Sequence, residues 1–318
     1  DYVVGLDIGT SKVVCIIGRY VDQHSIEVIS MGSYPSSGLK KGVVVNIDAT
    51  TDAIQKSIDQ AQASFEGKIK NVYVGIAGNH IRSLNSHGIV GIKDKEVEAS
   101  DIDRVIEAAQ AVAIPSDQRV LHVLPQEYVI DNQDSIREPL GMSGVRLESH
   151  VHLVTCANNA IQNIEKCVKR CGIGVDGFVL EQLASSYSVL SEDEKELGVC
   201  LVDIGGGTTD IAVFNSGSIS FTGVIPIAGD QVTSDIAVAL RTPTAQAEDI
   251  KQKHGCAAAE LTQEGETLEV MRVGGRPPED LSRQSLAEII EPRYVELFDL
   301  VKAEIKRNGF EHKIPAGI

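Results

Sequence analysis

Val4 to Val13 reads Val-Gly-Leu-Asp-Ile-Gly-Thr-Ser-Lys-Val, and Cys200 to Ile211 reads Cys-Leu-Val-Asp-Ile-Gly-Gly-Gly-Thr-Thr-Asp-Ile. Both segments spell strand, aspartate, glycine turn, hydroxyl and strand. Asp7 and Asp203 stand 196 positions apart (203 minus 7), about the length of one lobe of a duplicated protein. A chain of 318 residues has room for two such lobes. Few folds put the same chemical hairpin at the start of each half, so this repeat constrains the architecture more than any composition does.

The residue types explain what such a hairpin is for. Gly9, Gly205, Gly206 and Gly207 remove Cβ atoms, so that backbone N–H groups can approach phosphate oxygens. Thr10, Ser11, Thr208 and Thr209 add hydroxyl donors, and Lys12 adds a point charge. Asp7, Asp203 and Asp210 supply the carboxylates that Mg²⁺ takes directly or through water, together with substrate phosphates. One such turn alone also suits an ordinary hairpin. Two of them facing each other would clamp a polyphosphate.

The remaining sequence fits an α/β chain. Strands are expected at Tyr2 to Asp7, Val13 to Tyr20, Ile26 to Tyr34 and Val72 to Ala77. A helix capped at Asp48 should run to Gly67, with Ala53, Ile54, Ile58 and Ala61 on its buried face. Hairpin-like pieces around Ser86-His87-Gly88, a helix capped at Ser100 and extended segments from Arg119 to Asp131 and Val145 to Cys156 make a β-rich insertion. The helix from about Leu281 to Lys306 should kink or divide at Pro292. Ser191 to Glu196 reads as a solvated linker, and His150 and His152 as surface positions on a strand. The 29 Lys and Arg against 45 Asp and Glu leave a formal charge of −16, which disfavours binding an extended nucleic-acid backbone. No apolar run approaches the roughly 18 residues of a membrane-spanning helix. Cys167 and Cys171 could share a helix face but lack the other ligands of a closed zinc site. The six cysteines are read as reduced thiols.

The paired hairpins resemble the phosphate loops of the actin, sugar-kinase and DnaK-type chaperone superfamily. The fold that this implies is two RNase-H-like lobes with ATP and Mg²⁺ in the cleft. Glu181, opening Glu-Gln-Leu-Ala-Ser-Ser-Tyr, matches the position that orients attacking water there; its more commonplace reading is a helix first turn, where a carboxylate complements the dipole. Glu248 and Lys251 resemble the pair that touches ribose and adenine in filament-forming members, or form a surface ion pair.

Within the superfamily, the first-lobe insertion usually follows the third strand. Here Tyr34 to Asp48 leaves only about a dozen residues, and the extra material lies instead after Ala77. That displaced insertion resembles the FtsA family of bacterial cell-division proteins. So do Pro125-Gln126-Glu127-Tyr128, Gly141 to Leu147, Leu183 to Leu190, Pro226 to Asp230, Val273 to Pro278 and Glu291 to Tyr294. The resemblance implies a first-lobe core of 1–77 and 155–190, an insertion of 78–154, an incomplete second-lobe core of 191–226 and 311–318, and a helical subdomain of 227–310. It further implies ATP binding with weak hydrolysis at most, self-association into protofilaments, and contact with the FtsZ C-terminal tail and later divisome proteins, the latter through the insertion. Attachment to the inner membrane at the septum would use a C-terminal amphipathic helix not contained in these residues. Arg276, Arg283 and Arg293 are candidates for receiving the FtsZ tail, or belong to a solvated helix face. A sugar-type kinase is the alternative from the same superfamily, although nothing in the sequence marks an acceptor site. A chaperone would need a further peptide-binding domain, and an MreB-type filament protein would carry its insertion in the actin position.

Overall fold

The computed structural model describes residues 2–22 and 25–318. The chain begins as an antiparallel meander, β1 (Tyr2–Ile8), β2 (Lys12–Tyr20) and β3 (Ile26–Pro35), followed by a two-residue pair β4 (Leu39–Lys40) and β5 (Val43–Val44). Helix α1 (Ile47–Ala63) leads to β6 (Asn71–Ile76), which lies parallel to β1. The expected cap at Asp48 moves two residues upstream. Asn46 Oδ1 accepts from Ala49 N–H at 3.0 Å, leaving Asp48 inside the first turn.

The insertion then departs from the sheet. It comprises β7 (Ile81–Gly91), α2 (Ala99–Gln110), β8 (Gln118–Ile130), β9 (Gln133–Ile136) and β10 (Arg146–Ala157), forming a sheet of order β7-β10-β8-β9. Ser86-His87-Gly88 is not a turn. It lies inside β7, opposite His150 and its neighbours, and Gly88 is small because α2 crosses over it: an added Cβ would come 2.3 Å from the Val105 carbonyl oxygen. Helix α2 begins one residue before Ser100, where Glu98 N–H donates to Asp101 Oδ2 at 3.1 Å.

Helix α3 (Asn158–Arg170) and β11 (Gly174–Leu180) complete a first-lobe sheet of order β11-β6-β1-β2-β3. One face alternates inward through Val4, Leu6, Ile8, Val13, Cys15, Ile17, Val72 and Val74, and these pack on Ile54 and Ile58 of α1 and Ile161 and Ile164 of α3. Helix α4 (Glu181–Val189) leads out of the lobe. The charged segment after it is ordered rather than a linker: Ser191 and Glu194 form a capping box for α5 (Glu192–Leu197). Lys195 is buried there, bonding Glu192 at 2.9 Å and lying 4.9 Å from the Tyr187 ring centre.

The second lobe repeats the meander as β12 (Val199–Ile204), β13 (Thr209–Asn215) and β14 (Ser218–Ile225). Helices α6 (Gly229–Leu240) and α7 (Thr244–His254), the hairpin β15 (Thr267–Val270) and β16 (Glu279–Ser282), and α8 (Arg283–Arg307) follow. Helix α8 is not divided at Pro292. Ile290 on one side and Leu297, Val301 and Ile305 on the other are buried, the latter three against β12 and β13, and this packing carries the helix past the missing N–H. Near the chain end, Ala316 N–H donates to the Gly198 carbonyl and Cys200 N–H to the Gly317 carbonyl, so these residues run beside β12 as β6 runs beside β1.

Candidate functional site

The two hairpins share one register. Asp7 opposes Val14 and Ile8 opposes Val13 across β1 and β2; Asp203 opposes Asp210 and Ile204 opposes Thr209 across β12 and β13. Each turn also closes with the same bond, Gly9 N–H to the Lys12 carbonyl at 3.0 Å and Gly205 N–H to the Thr208 carbonyl at 2.9 Å. The turns then meet. A Cβ on Gly206 would lie 2.1 Å from Ser11 Oγ, and one on Gly207 would lie 2.8 Å from Thr10 Oγ1. The triple glycine therefore seats the hydroxyls of the opposite turn as well as exposing its own N–H groups.

Between the turns lies a cavity of about 290 Å³, with Asp7, Lys12, Glu181, Asp203 and Asp210 in its wall. Four carboxylates converge on a space with one lysine. Burial, then repulsion from Asp7, Asp210 and Asp203, raises Glu181 well above its ordinary value. Burial and then Asp203 likewise raise Asp7, although Lys12 opposes this. The Glu181 and Asp7 carboxyls lie within hydrogen-bonding reach of each other. Burial raises Asp210 to about 7 despite a 3.0 Å bond from Thr208 Oγ1. Gln182 is fully buried; its Nε2 donates to Asp210 Oδ1 at 3.3 Å, while its Oε1 has no partner. Ser185 Oγ donates to Asp203 Oδ2 at 3.3 Å. Like charges held together beside an orphaned acceptor form an environment that a hydrated cation would relieve, because its waters donate and its charge neutralises.

Comparison with known proteins defines the lineage. Residues 78–155 match the model of the SHS2 domain inserted in FtsA, and residues 200–313 match the model of cell division protein FtsA. Cell division protein FtsA of Pseudomonas aeruginosa is 67% identical over 316 residues, spanning 99% of this chain and 76% of that one. The chain belongs to the FtsA family. FtsA of Escherichia coli K12 is 48% identical over 99% of this chain and 77% of its own length. The fold is actin-like, as two distant structures show. A PilM-PilN type IV pilus biogenesis complex superposes with a TM-score of 0.67 at 14% identity, covering 96% of this chain and 76% of that one. MreB5 of Spiroplasma citri superposes with a TM-score of 0.55 at 14% identity, covering 96% and 78%.

Not every residue expected at the site reaches this FtsA-family cavity. Thr209 faces away, as strand alternation requires after Thr208, and its hydroxyl donates to the Ile227 carbonyl at 2.7 Å. Glu248 and Lys251 are paired at 2.8 Å behind the second turn, where Lys251 Nζ also donates to Gly229 O at 3.1 Å and Thr233 Oγ1 at 2.9 Å. Gly229 N–H and Asp230 N–H in turn donate to the Gly205 and Gly206 carbonyls, so the pair supports the turn from the α6 side. Arg276 is exposed, Arg283 pairs with Glu266 at 2.8 Å, and Arg293 holds Asp235 with two bonds of 2.7 and 2.9 Å. Among the described residues, no set of three or more His, Cys, Asp or Glu side chains closes around a metal by itself. Cys167 and Cys171 are part of the first-lobe core. Gln182, Ser185 and Gly42 were not singled out by sequence. The first two occupy one helical turn beside Glu181, and their polar type at a lobe-facing helix start was the available signal.

Proposed function

We propose that this FtsA-family protein binds ATP with Mg²⁺ between the two glycine turns and uses the nucleotide as a conformational ligand. The observation that carries the reading is the contact of the turns, with Gly206 on Ser11 and Gly207 on Thr10 above a shared carboxylate-lined cavity. Gly9, Thr10, Ser11, Lys12, Gly205 to Gly207 and Thr208 would hold the phosphates. Asp7, Asp203 and Asp210 would hold the cation through water, and its charge would shield the phosphates from the carboxylates. In this reading hydrolysis is weak at most, with Glu181 standing beside Asp7 in the cavity wall.

In the same reading the protein self-associates, receives the FtsZ C-terminal tail on its helical second-lobe subdomain near Arg276, Arg283 and Arg293, and contacts later divisome proteins through the insertion. It ties the FtsZ ring to the inner membrane at the septum through a C-terminal amphipathic helix outside these 318 residues. No helix among the described residues is long and apolar enough to cross a membrane. With 45 acidic against 29 basic residues, the body itself should be repelled by an anionic surface. The test is co-sedimentation of the complete protein with anionic vesicles, with and without Mg-ATP and an FtsZ tail peptide. Vesicle binding that survives removal of the C-terminal helix, or a second lobe that ignores the peptide, overturns the tether. Absence of saturable Mg-ATP binding overturns the nucleotide reading.

A further inference from the structure

The short turn between β4 and β5 touches both halves of the site. Lys41 and Gly42 have φ of +51° and +75°, a left-handed pair that folds the backbone sharply inward. Gly42 N–H donates to Thr10 Oγ1 at 3.3 Å. On the other side, the Lys41 N and Cα atoms stand 2.9 Å from where a Gly207 Cβ would be. The turn thus wedges between the first-lobe and second-lobe loops.

It also grips the root of the insertion. A Cβ on Gly42 would lie 2.5 Å from the Ala77 carbonyl oxygen, and one on Gly78 (φ +122°) would lie 2.9 Å from the Lys41 carbonyl and 3.0 Å from Gly42 Cα. Gly78 is where the insertion leaves β6, and its own N–H faces the Asp210 carboxylate. The sheet of the insertion is fastened to the second lobe as well. Ser83 Oγ and Asn85 Nδ2 donate to the Thr222 and Ser220 carbonyls of β14 at 3.1 Å each, and Gln126 Nε2 donates to the Ile219 carbonyl at 2.9 Å.

We propose that Lys41, Gly42 and Gly78 form a clasp through which occupancy of the cavity sets the position of the insertion relative to the two lobes. The proposal rests on the nucleotide reading above. A phosphate competing for Thr10, or a hydrated cation engaging Asp210, must disturb the contact that the clasp makes with that group. Backbone packed against backbone has no flexible side chain to absorb the change. The displacement therefore passes to Gly78 and into a sheet held by β14 at its far side.

Hydrogen exchange of the complete protein, with and without saturating Mg-ATP, tests this. Exchange should slow at the turns 7–12 and 203–210, and should also change at 38–45, 76–84 and 218–224. In Gly42→Ala, at ATP concentrations that saturate that variant, the turns should still be protected while 76–84 loses its response. Lys41→Gly keeps the left-handed backbone and should respond as the parent does. ATP binding with protected turns but an unchanged 76–84 in the parent protein overturns the clasp alone, as does a Lys41→Gly variant that loses the response. No protection at the turns and no ATP binding overturns the nucleotide reading beneath it.

Discussion

His152 and Thr222 meet across the seam between the insertion and the second lobe, with Nε2 3.0 Å from Oγ1. The other ring nitrogen lies 2.7 Å from Asn85 Oδ1. An amide oxygen can only accept, so Nδ1 carries the proton and Nε2 accepts from the Thr222 hydroxyl. Alternation places His152 on the same sheet face as His150, yet it is 1% exposed because β14 covers it. Burial lowers its pKa to about 4.

That depressed value makes the stability of the fold depend on pH. A histidine that charges less readily when folded contributes stability above its unfolded pKa of about 6.5, and loses it as pH falls toward about 4. Thermal unfolding of the parent should therefore shift down over that window by more than that of His152→Gln. His152→Ala should cost about 1–3 kcal/mol at pH 7, since the buried Thr222 hydroxyl is left without its partner. A variant as stable as the parent would show that the seam carries no weight.

Asp203→Ala should separate stability from binding. Asp203 is among the repulsions that raise Asp7, Glu181 and Asp210, so its removal should leave the nucleotide-free protein as stable or more stable. Mg-ATP affinity should fall about tenfold or more, equivalent to about 1.4 kcal/mol. Calorimetric titration and melting on the same sample decide it, and unchanged affinity would remove the second turn from the site.

The carboxylate cluster also predicts a pH dependence of opposite sense. Asp210 is raised from 3.8 to about 7, so the folded state binds its proton more tightly than the unfolded chain does. Its contribution is complete below about pH 3.8 and is lost as pH rises to about 7. Without divalent cations, Asp210→Asn should flatten that decline. Mg-ADP should raise the melting temperature more at pH 8 than at pH 6, where Asp210 is largely protonated and competes with the cation.

What the sequence made legible was the repeat and the displacement of the insertion. Both are local patterns, one of spacing and the other of a short gap between Tyr34 and Asp48. What stayed hidden depends on contacts between distant segments. Nothing near His152 announces that Thr222, 70 positions on, will cover it. Lys195 reads as one charge in a solvated run until Tyr187 and Phe214 enclose it. The glycines at 206 and 207 were assigned by their chemistry, yet their contact with Ser11 and Thr10 needed the two lobes to face each other.

Gly88 carries the last prediction, because sequence alone gives it the wrong role. Read as a turn glycine it should tolerate alanine poorly through φ; inside β7 its conformation is ordinary, and the constraint is α2. An added Cβ would come 2.3 Å from the Val105 carbonyl and 2.5 Å from the Ala109 N atom, both backbone atoms of a helix buried at Val105 and Ala109. Relief requires the helix to lift from the sheet, at a cost of about 1–3 kcal/mol or more. The lost contacts lie among Val105, Ile130 and Leu147 in the insertion, apart from the first-lobe core of Leu6, Ile54 and Ile161. Gly88→Ala should therefore speed hydrogen exchange across 81–91 and 99–110 while leaving 47–63 and 158–170 at parental rates. Uniform acceleration over all four segments would show that the insertion and the first lobe unfold as one unit.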